Sequence, residues 1–284
     1  MRPGSAAGPL SQSSVGISRA RTRWLTGPMG IRNSSGAELG QARAARWWVR
    51  GRRIGSIERA GAFVEDVGFA LLFPAPRAVV PSLWEAVAGE DEEPFGSGMG
   101  TNEQRVWMWK DELPRRGMAW YGAFLGGRGT FLAPELLNAL YPAAGDPGDH
   151  QSMHLSPAAH EIATAIADEP LPSATLRALI GDKNRYQRAM TELQRNLLVT
   201  TAGVHETGSG WPAALIALTC ELFDVGGGTD HAGATQRFLD TMLETTPGEL
   251  GRAFRWPAAQ ARAHLDELVD DGKAAYDGVR YRIP

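Results

Sequence analysis

Residues 155–204, LSPAAHEIATAIADEPLPSATLRALIGDKNRYQRAMTELQRNLLVTTAGV, decide the expected fold. Ser156-Pro157 opens a helix, since proline is tolerated in a first turn whose N–H groups lack partners, and the helix should run to about Ala167. Leu171-Pro172-Ser173 caps a second, short helix that ends before Gly181. Asp182 leads a third helix of about fourteen residues. Leu198 to Val204 then alternates like a strand entering a turn. Helix, helix, helix, hairpin is the winged-helix arrangement, a helix-turn-helix with a β wing.

The C-terminal segment repeats the plan. His231 to Glu244 reads as helix, Thr246-Pro247 starts a short helix, and Trp256-Pro257 starts a third. Ala274 to Ile283 follows as strand, Asp277-Gly278 turn and strand. Thr191-Glu192-Leu193 and Asp266-Glu267-Leu268 take the same place before their strands, an internal repeat. The N-terminal part is less regular, with helices expected at Glu38–Arg50, Ser56–Val67, Pro81–Val87 and Thr101–Leu113, then a hairpin from Met118 to Leu132. The expected organisation is a disordered tail (1–36), an N-terminal winged-helix-like unit (37–141), a linker (142–154), a central winged helix (155–223) and a C-terminal one (224–284). The fold class is mainly α with small β hairpins, an α+β chain of tandem winged-helix units.

Composition narrows the classes. The 284 residues carry 29 Lys plus Arg against 32 Asp plus Glu, a net charge of −3 that excludes a histone-like basic binder. Apolar residues make up 43%, enough for a core. The lone Cys220 excludes an internal disulfide and any multi-cysteine metal centre, and fits a reducing, cytoplasmic setting. The longest apolar run, Trp211 to Phe223, includes Glu221 and falls short of the ~18 residues of a membrane span, so it reads as core. The first sixty residues hold eleven arginines and two acids, which leaves the rest of the chain twelve charges negative. Residues 1–36 have no apolar stretch typical of a secretory signal and are expected to be disordered.

On a helical wheel, Tyr186, Met190, Leu193 and Leu197 form one apolar stripe. Arg185, Arg188, Glu192 and Arg195 fall roughly opposite, with Gln187 and Gln194 nearby. Such a helix suits nucleic-acid recognition, because Arg holds phosphate or guanine and Gln reads adenine; an ordinary solvated face has the same look. In the first helix Arg43, Arg46 and Arg50 share a face with Trp47, and Arg52 and Arg53 follow. Basic groups around an aromatic fit DNA stacking or wedging, or else Trp47 and Trp48 pack between helices. Arg128 sits at a hairpin tip as a candidate wing contact. The third unit exposes Glu267, Asp270 and Asp271, which repel phosphate.

No phosphate loop, dinucleotide fingerprint or nucleophile elbow occurs. His150, His154 and His160 with Asp146 and Asp149 lack a metal-ligand spacing, so neither metal nor cofactor is expected. Asp111 and Glu112 end a tryptophan-rich helix, Trp107 to Pro114; a carboxylate beside aromatics is an acid/base candidate, or else an ion-pair partner of Lys110, Arg115 or Arg116.

Phe69-Ala70-Leu71-Leu72-Phe73-Pro74, Pro81-Ser82-Leu83-Trp84-Glu85, the tryptophan–Asp-Glu-Leu-Pro segment and Leu155-Ser156-Pro157 before a winged helix together resemble the AlkZ-type family of winged-helix DNA glycosylases, in an AlkZ-related branch. That family unhooks interstrand crosslinks and excises bulky alkylated bases. The resemblance spans about residues 38–223 and implies DNA, duplex or damaged, as partner. The family's Gln-x-Gln or Gln-x-Asp pair, which positions the attacking water, falls here on Leu71 and Phe73, which cannot orient water. The conventional catalytic motif is thus expected to be absent. The first reading is a DNA-binding protein related to repair; the alternatives are a regulator of operator DNA, a glycosylase using Asp111 or Glu112, and a protein-binding module.

Overall fold

In this computed structural model the described residues are 36–76, 78–90, 95–96, 98–206 and 212–284, so the expected tail lies almost wholly outside them. After a leading helix, α1 (Gly36–Arg46), one order of elements recurs: helix, strand, helix, helix, strand, strand. Its first occurrence is α2 (Ile57–Val67), β1 (Phe69–Leu71), α3 (Leu83–Ala88), α4 (Thr101–Arg115), β2 (Trp120–Ala123) and β3 (Gly129–Leu132). Two connecting helices follow, α5 (Pro134–Leu140) and α6 (Asp149–Ser152). The second is α7 (Pro157–Ala165), β4 (Leu171–Pro172), α8 (Ser173–Ile180), α9 (Lys183–Arg195), β5 (Val199–His205) and β6 (Ala213–Leu218), trailed by α10 (Thr219–Leu222). The third is α11 (His231–Met242), β7 (Glu244–Thr245), α12 (Pro247–Phe254), α13 (Ala258–Asp270), β8 (Ala275–Tyr276) and β9 (Tyr281–Arg282).

Each occurrence closes a small antiparallel sheet with its last strand in the middle: β1-β3-β2, β4-β6-β5 and β7-β9-β8. The chain is therefore mixed α and β, helix-rich with small sheets.

Local chemistry accounts for the helix starts. Ser56, Ser82, Ser156, Asp182, Asp230 and Thr246 each accept a first-turn N–H, and Thr246 completes a capping box with Glu249. Three expectations are corrected. α1 stops at Arg46 rather than Arg50, because Trp48 turns to φ 58°. α11 stops at Met242 rather than Glu244, because Leu243 turns to φ 64° and Glu244 enters a strand. α4 runs through Pro114 to Arg115. Proline offers no N–H to the Lys110 carbonyl, and the Thr201 hydroxyl of β5 donates to it instead at 3.0 Å.

The three units bury surface against one another. β2 is an edge strand, and its outward backbone is satisfied by side chains of the second unit. The Thr200 hydroxyl accepts from the Tyr121 N–H at 3.1 Å and donates to its carbonyl at 2.9 Å, and Gln194 Oε1 accepts from the Ala123 N–H at 3.0 Å. Gly122 leaves room for the Gln194 side chain, which a Cβ there would approach to 3.2 Å, and for the Trp120 ring, which it would meet at 2.4 Å. Between first and third units, Phe69 stacks on Phe238 at 5.3 Å and meets Phe254 edge-on at 6.5 Å.

Candidate nucleic-acid interface

The α9 helix separates its faces cleanly. Tyr186, Met190, Leu193 and the following Leu197 are buried, as the wheel predicts. Asn184, Gln187, Arg188, Thr191 and Arg195 line the opposite face, which forms one wall of an open cleft of about 530 Å³. Arg255 of the third unit reaches the same cleft from the end of α12, where φ 61° turns it out of the helix. No ion pair is found for Arg188, Arg195 or Arg255 among the described residues. The cleft's one acid, Glu192, faces inward: its two oxygens accept from the Ser156 N–H at 2.9 Å and hydroxyl at 2.6 Å. The surface is a cationic concavity edged with amide and hydroxyl groups.

Two side chains from the sequence reading are placed elsewhere. Arg185 lies off the cleft, 3.7 Å from Glu161. Gln194 is held by the backbone of β2. Arg195 packs over the hairpin turn of the first unit, where Gly127 at φ 74° allows its approach; a Cβ there would meet the guanidinium at 2.7 Å.

That turn, Leu125–Gly127, and the last turn of α12 also border a second cavity of about 540 Å³ between the first and third units. Leu71, Val80, Phe238 and Met242 give it an apolar lining, while exposed Arg128 and Arg252 stand on its rim. Its carboxylates are both engaged. Glu244 pairs with Arg280 at 3.2 Å and Arg282 at 3.0 Å, and Glu249 caps α12 and lies 3.4 Å from Arg280. Leu71 on its wall is only 1% exposed. Phe73 points elsewhere, stacking on Phe95 at 4.8 Å beside Trp107.

The N-terminal arginines are largely committed to the protein itself. Helix α11 ends with carbonyls that lack intrahelical partners, and α1 and the Trp47 that follows it supply donors to three in succession. Arg46 Nε donates to the Asp240 carbonyl at 3.2 Å, the Trp47 indole to Thr241 at 2.7 Å and Arg43 Nε to Met242 at 3.0 Å. Cations there also oppose the partial negative charge of the helix end. Trp47 is 9% exposed, so its ring packs between units and presents no platform for a base. Arg50 pairs with Glu90 at 2.6 Å. Arg53 is exposed and Arg128 likewise, at the hairpin tip where the sequence placed it.

Neither Asp111 nor Glu112 lines the two cavities. Asp111 is 6% exposed against β5, paired with Lys110 at 2.5 Å; burial pushes its carboxyl up, and its Oδ1 has no partner among the described residues. Glu112 is gripped by Arg115, through two bonds of 2.7 and 2.5 Å, and by Arg116 at 2.7 Å. Those hydrogen bonds hold it down to about 2, so it stays charged and is a poor proton acceptor. A depressed carboxylate stabilises the fold above its unfolded value and loses that contribution as pH falls toward its folded one. Glu112→Gln should therefore lower the unfolding free energy read from urea titration at pH 7, by no more than about 1 kcal/mol for so solvent-accessible a cluster, with the deficit shrinking between pH 5 and pH 3. A deficit independent of pH across that range would contradict the ion-pair account.

Among the described residues no three His, Cys, Asp or Glu side chains are grouped to hold a metal ion, and both ring nitrogens of His150 are engaged, by the Pro147 carbonyl at 3.0 Å and the Thr164 hydroxyl at 3.2 Å. Arg255, Arg252 and the second cavity were not legible in the sequence, because the acids on α13 made the third unit look unsuited to a phosphate-facing surface.

Comparison with known proteins gives two findings. The model of the family described as AlkZ related matches residues 54–253. Among solved structures the chain is similar to the Streptomyces sahachiroi DNA glycosylase AlkZ, with a TM-score of 0.51 and 12% identity over 88% of this chain and 70% of that one. At that identity the likeness is one of fold. A comparison with curated proteins finds no match. No helix among the described residues is long and apolar enough to cross a membrane.

Proposed function

Because the chain belongs to the AlkZ-related family, we propose that it is a DNA-binding protein of DNA repair, built from three tandem winged helices that grip duplex or damaged DNA. The three repeats, with their common strand order, support the winged-helix reading, and residues 37–141, 155–223 and 224–284 then act as its units around a 142–154 linker. One observation carries the DNA reading. Three arginines from two units converge on an open cleft without carboxylate partners there, and a structural role would have paired them. Free Cys220 is compatible with a cytoplasmic place of action.

The second cavity favours damage recognition within the same reading. It lies behind the wall formed by the 125–128 turn and the end of α12, has an apolar lining and places two arginines at its mouth, as a base turned out of the stack requires. By the resemblance, Leu71 would take the place of the family's water-positioning polar side chain, and the carboxylates nearby are tied to Arg280, which favours binding over base excision.

The test is fluorescence anisotropy of the full chain on a labelled duplex of about 20 base pairs, from about 20 to 200 mM salt. Binding that weakens steeply with salt is expected. No binding at the lowest salt would remove the DNA reading.

A further inference from the structure

We propose that α9 reads DNA sequence: Asn184, Gln187 and Arg188 contact base edges in the major groove, while Arg195 and Arg255 hold the flanking phosphates. This rests on the DNA reading above and adds base selectivity to it.

The cleft face of α9 consists of Asn184, Gln187, Arg188, Thr191 and Arg195, with Glu192 turned to Ser156 at its margin. At 100° per residue these positions fall within one side of the helix, opposite the buried stripe. A surface built only for the sugar-phosphate backbone needs charge, and Lys or Arg at any exposed position serves. This face instead carries Asn184, Gln187 and Arg188, whose side chains are able to discriminate bases. Asn and Gln present a donor and an acceptor together, which matches the N6/N7 edge of adenine, and Arg presents the fork that matches O6/N7 of guanine. The side-chain amides of Asn184 and Gln187 have no hydrogen-bond partner among the described residues, and both residues are exposed.

Position along the helix sorts the roles. Winged-helix and helix-turn-helix proteins present the N-terminal half of the recognition helix to base edges. Asn184, Gln187 and Arg188 lie in the first two turns and are exposed. Arg195 is in the last turn, against Gly127 of the first unit, and Arg255 enters the cleft from the third, so neither belongs to the presented half and both are free to act as backbone clamps.

The corresponding helices differ. α4 is packed against β5 along the Lys110–Asp111 side. α13 exposes Glu267, Asp270 and Asp271, which would face phosphate unfavourably. Only α9 among these three combines exposure, cationic surroundings and discriminating side chains.

The experiment is selection of bound duplexes from a random-sequence library by the full chain, followed by anisotropy on the enriched and a scrambled duplex. The expected result is an enriched motif containing adenine and guanine at fixed spacing, preferred over the scrambled duplex. Asn184→Ala with Gln187→Ala should erase that preference, by about 5-fold or more, and leave the salt slope unchanged. Arg195→Ala should weaken both duplexes alike and lower the slope by about 1. Binding without enrichment, or enrichment that survives the Asn184/Gln187 change, overturns the readout and leaves the DNA reading standing. No binding to any duplex overturns both.

Discussion

Replacing Arg195 and Arg255 together by alanine should lower affinity for duplex DNA by at least about tenfold near 100 mM salt, and flatten the plot of log affinity against log salt by about 1.8. Each arginine that neutralises a phosphate releases roughly 0.9 of a condensed counterion, so two lost contacts change the slope by twice that. The two side chains are exposed, without ion pairs among the described residues, so their removal leaves the fold intact. Arg185→Ala makes the control. That guanidinium is turned toward Glu161 at 3.7 Å, off the cleft, and its loss should move the slope by much less than one counterion. Equal effects of the single control and the double change would mean that the cleft has no special role, and that the chain's general basicity draws the DNA.

The largest stability effect is expected from Trp120→Ala. Trp120 is fully buried, its indole donates to the Thr219 hydroxyl at 3.1 Å, and its ring meets Phe124 edge-on at 6.2 Å. It spans the junction of first and second units, so truncation empties a large volume and strands the Thr219 hydroxyl's partner position. A loss of about 3–5 kcal/mol is expected. For a chain of this size each kcal/mol shifts the melting midpoint by about 2–4 °C, so the transition should fall by roughly 6 °C or more. Differential scanning calorimetry reads it. A transition split in two, with the third unit melting apart, would show that the units are less coupled than their shared core implies. An unchanged midpoint would refute the packing account.

Most helices were legible because each begins with its own chemistry. Ser156-Pro157, Asp182 and Thr246-Pro247 announce a cap and a first turn locally, and the structure starts helices there. The repeat was legible for the same reason: Leu193 and Leu268 are both buried at corresponding places before a strand. The edge strands β4 and β7 were not, because two residues are too few to show alternation, and their pairing with β6 and β9 is fixed by distant sequence. Of the candidate site, the exposed side of α9 followed from periodicity. Its division between Arg188 and Arg195 on the cleft and Arg185 off it depends on where Arg255 of the third unit and Glu161 of α7 lie around the helix. Arg43, Arg46 and Trp47 carried the composition of a DNA-binding helix, yet the structure spends those donors on the end of α11, almost 200 residues away along the chain, at separations of 199 and 194 positions. Composition reports what a side chain can bind. Only the fold reports what already occupies it.

The central claim is that DNA lies in the cleft between α9 and Arg255. Amide hydrogen exchange of the full chain with and without a saturating duplex tests it most directly. Slower exchange confined to residues 183–196, 125–128 and 252–256 is the predicted result. Protection that appears instead on the acidic face of α13 or around Trp107, with α9 unchanged, would contradict it.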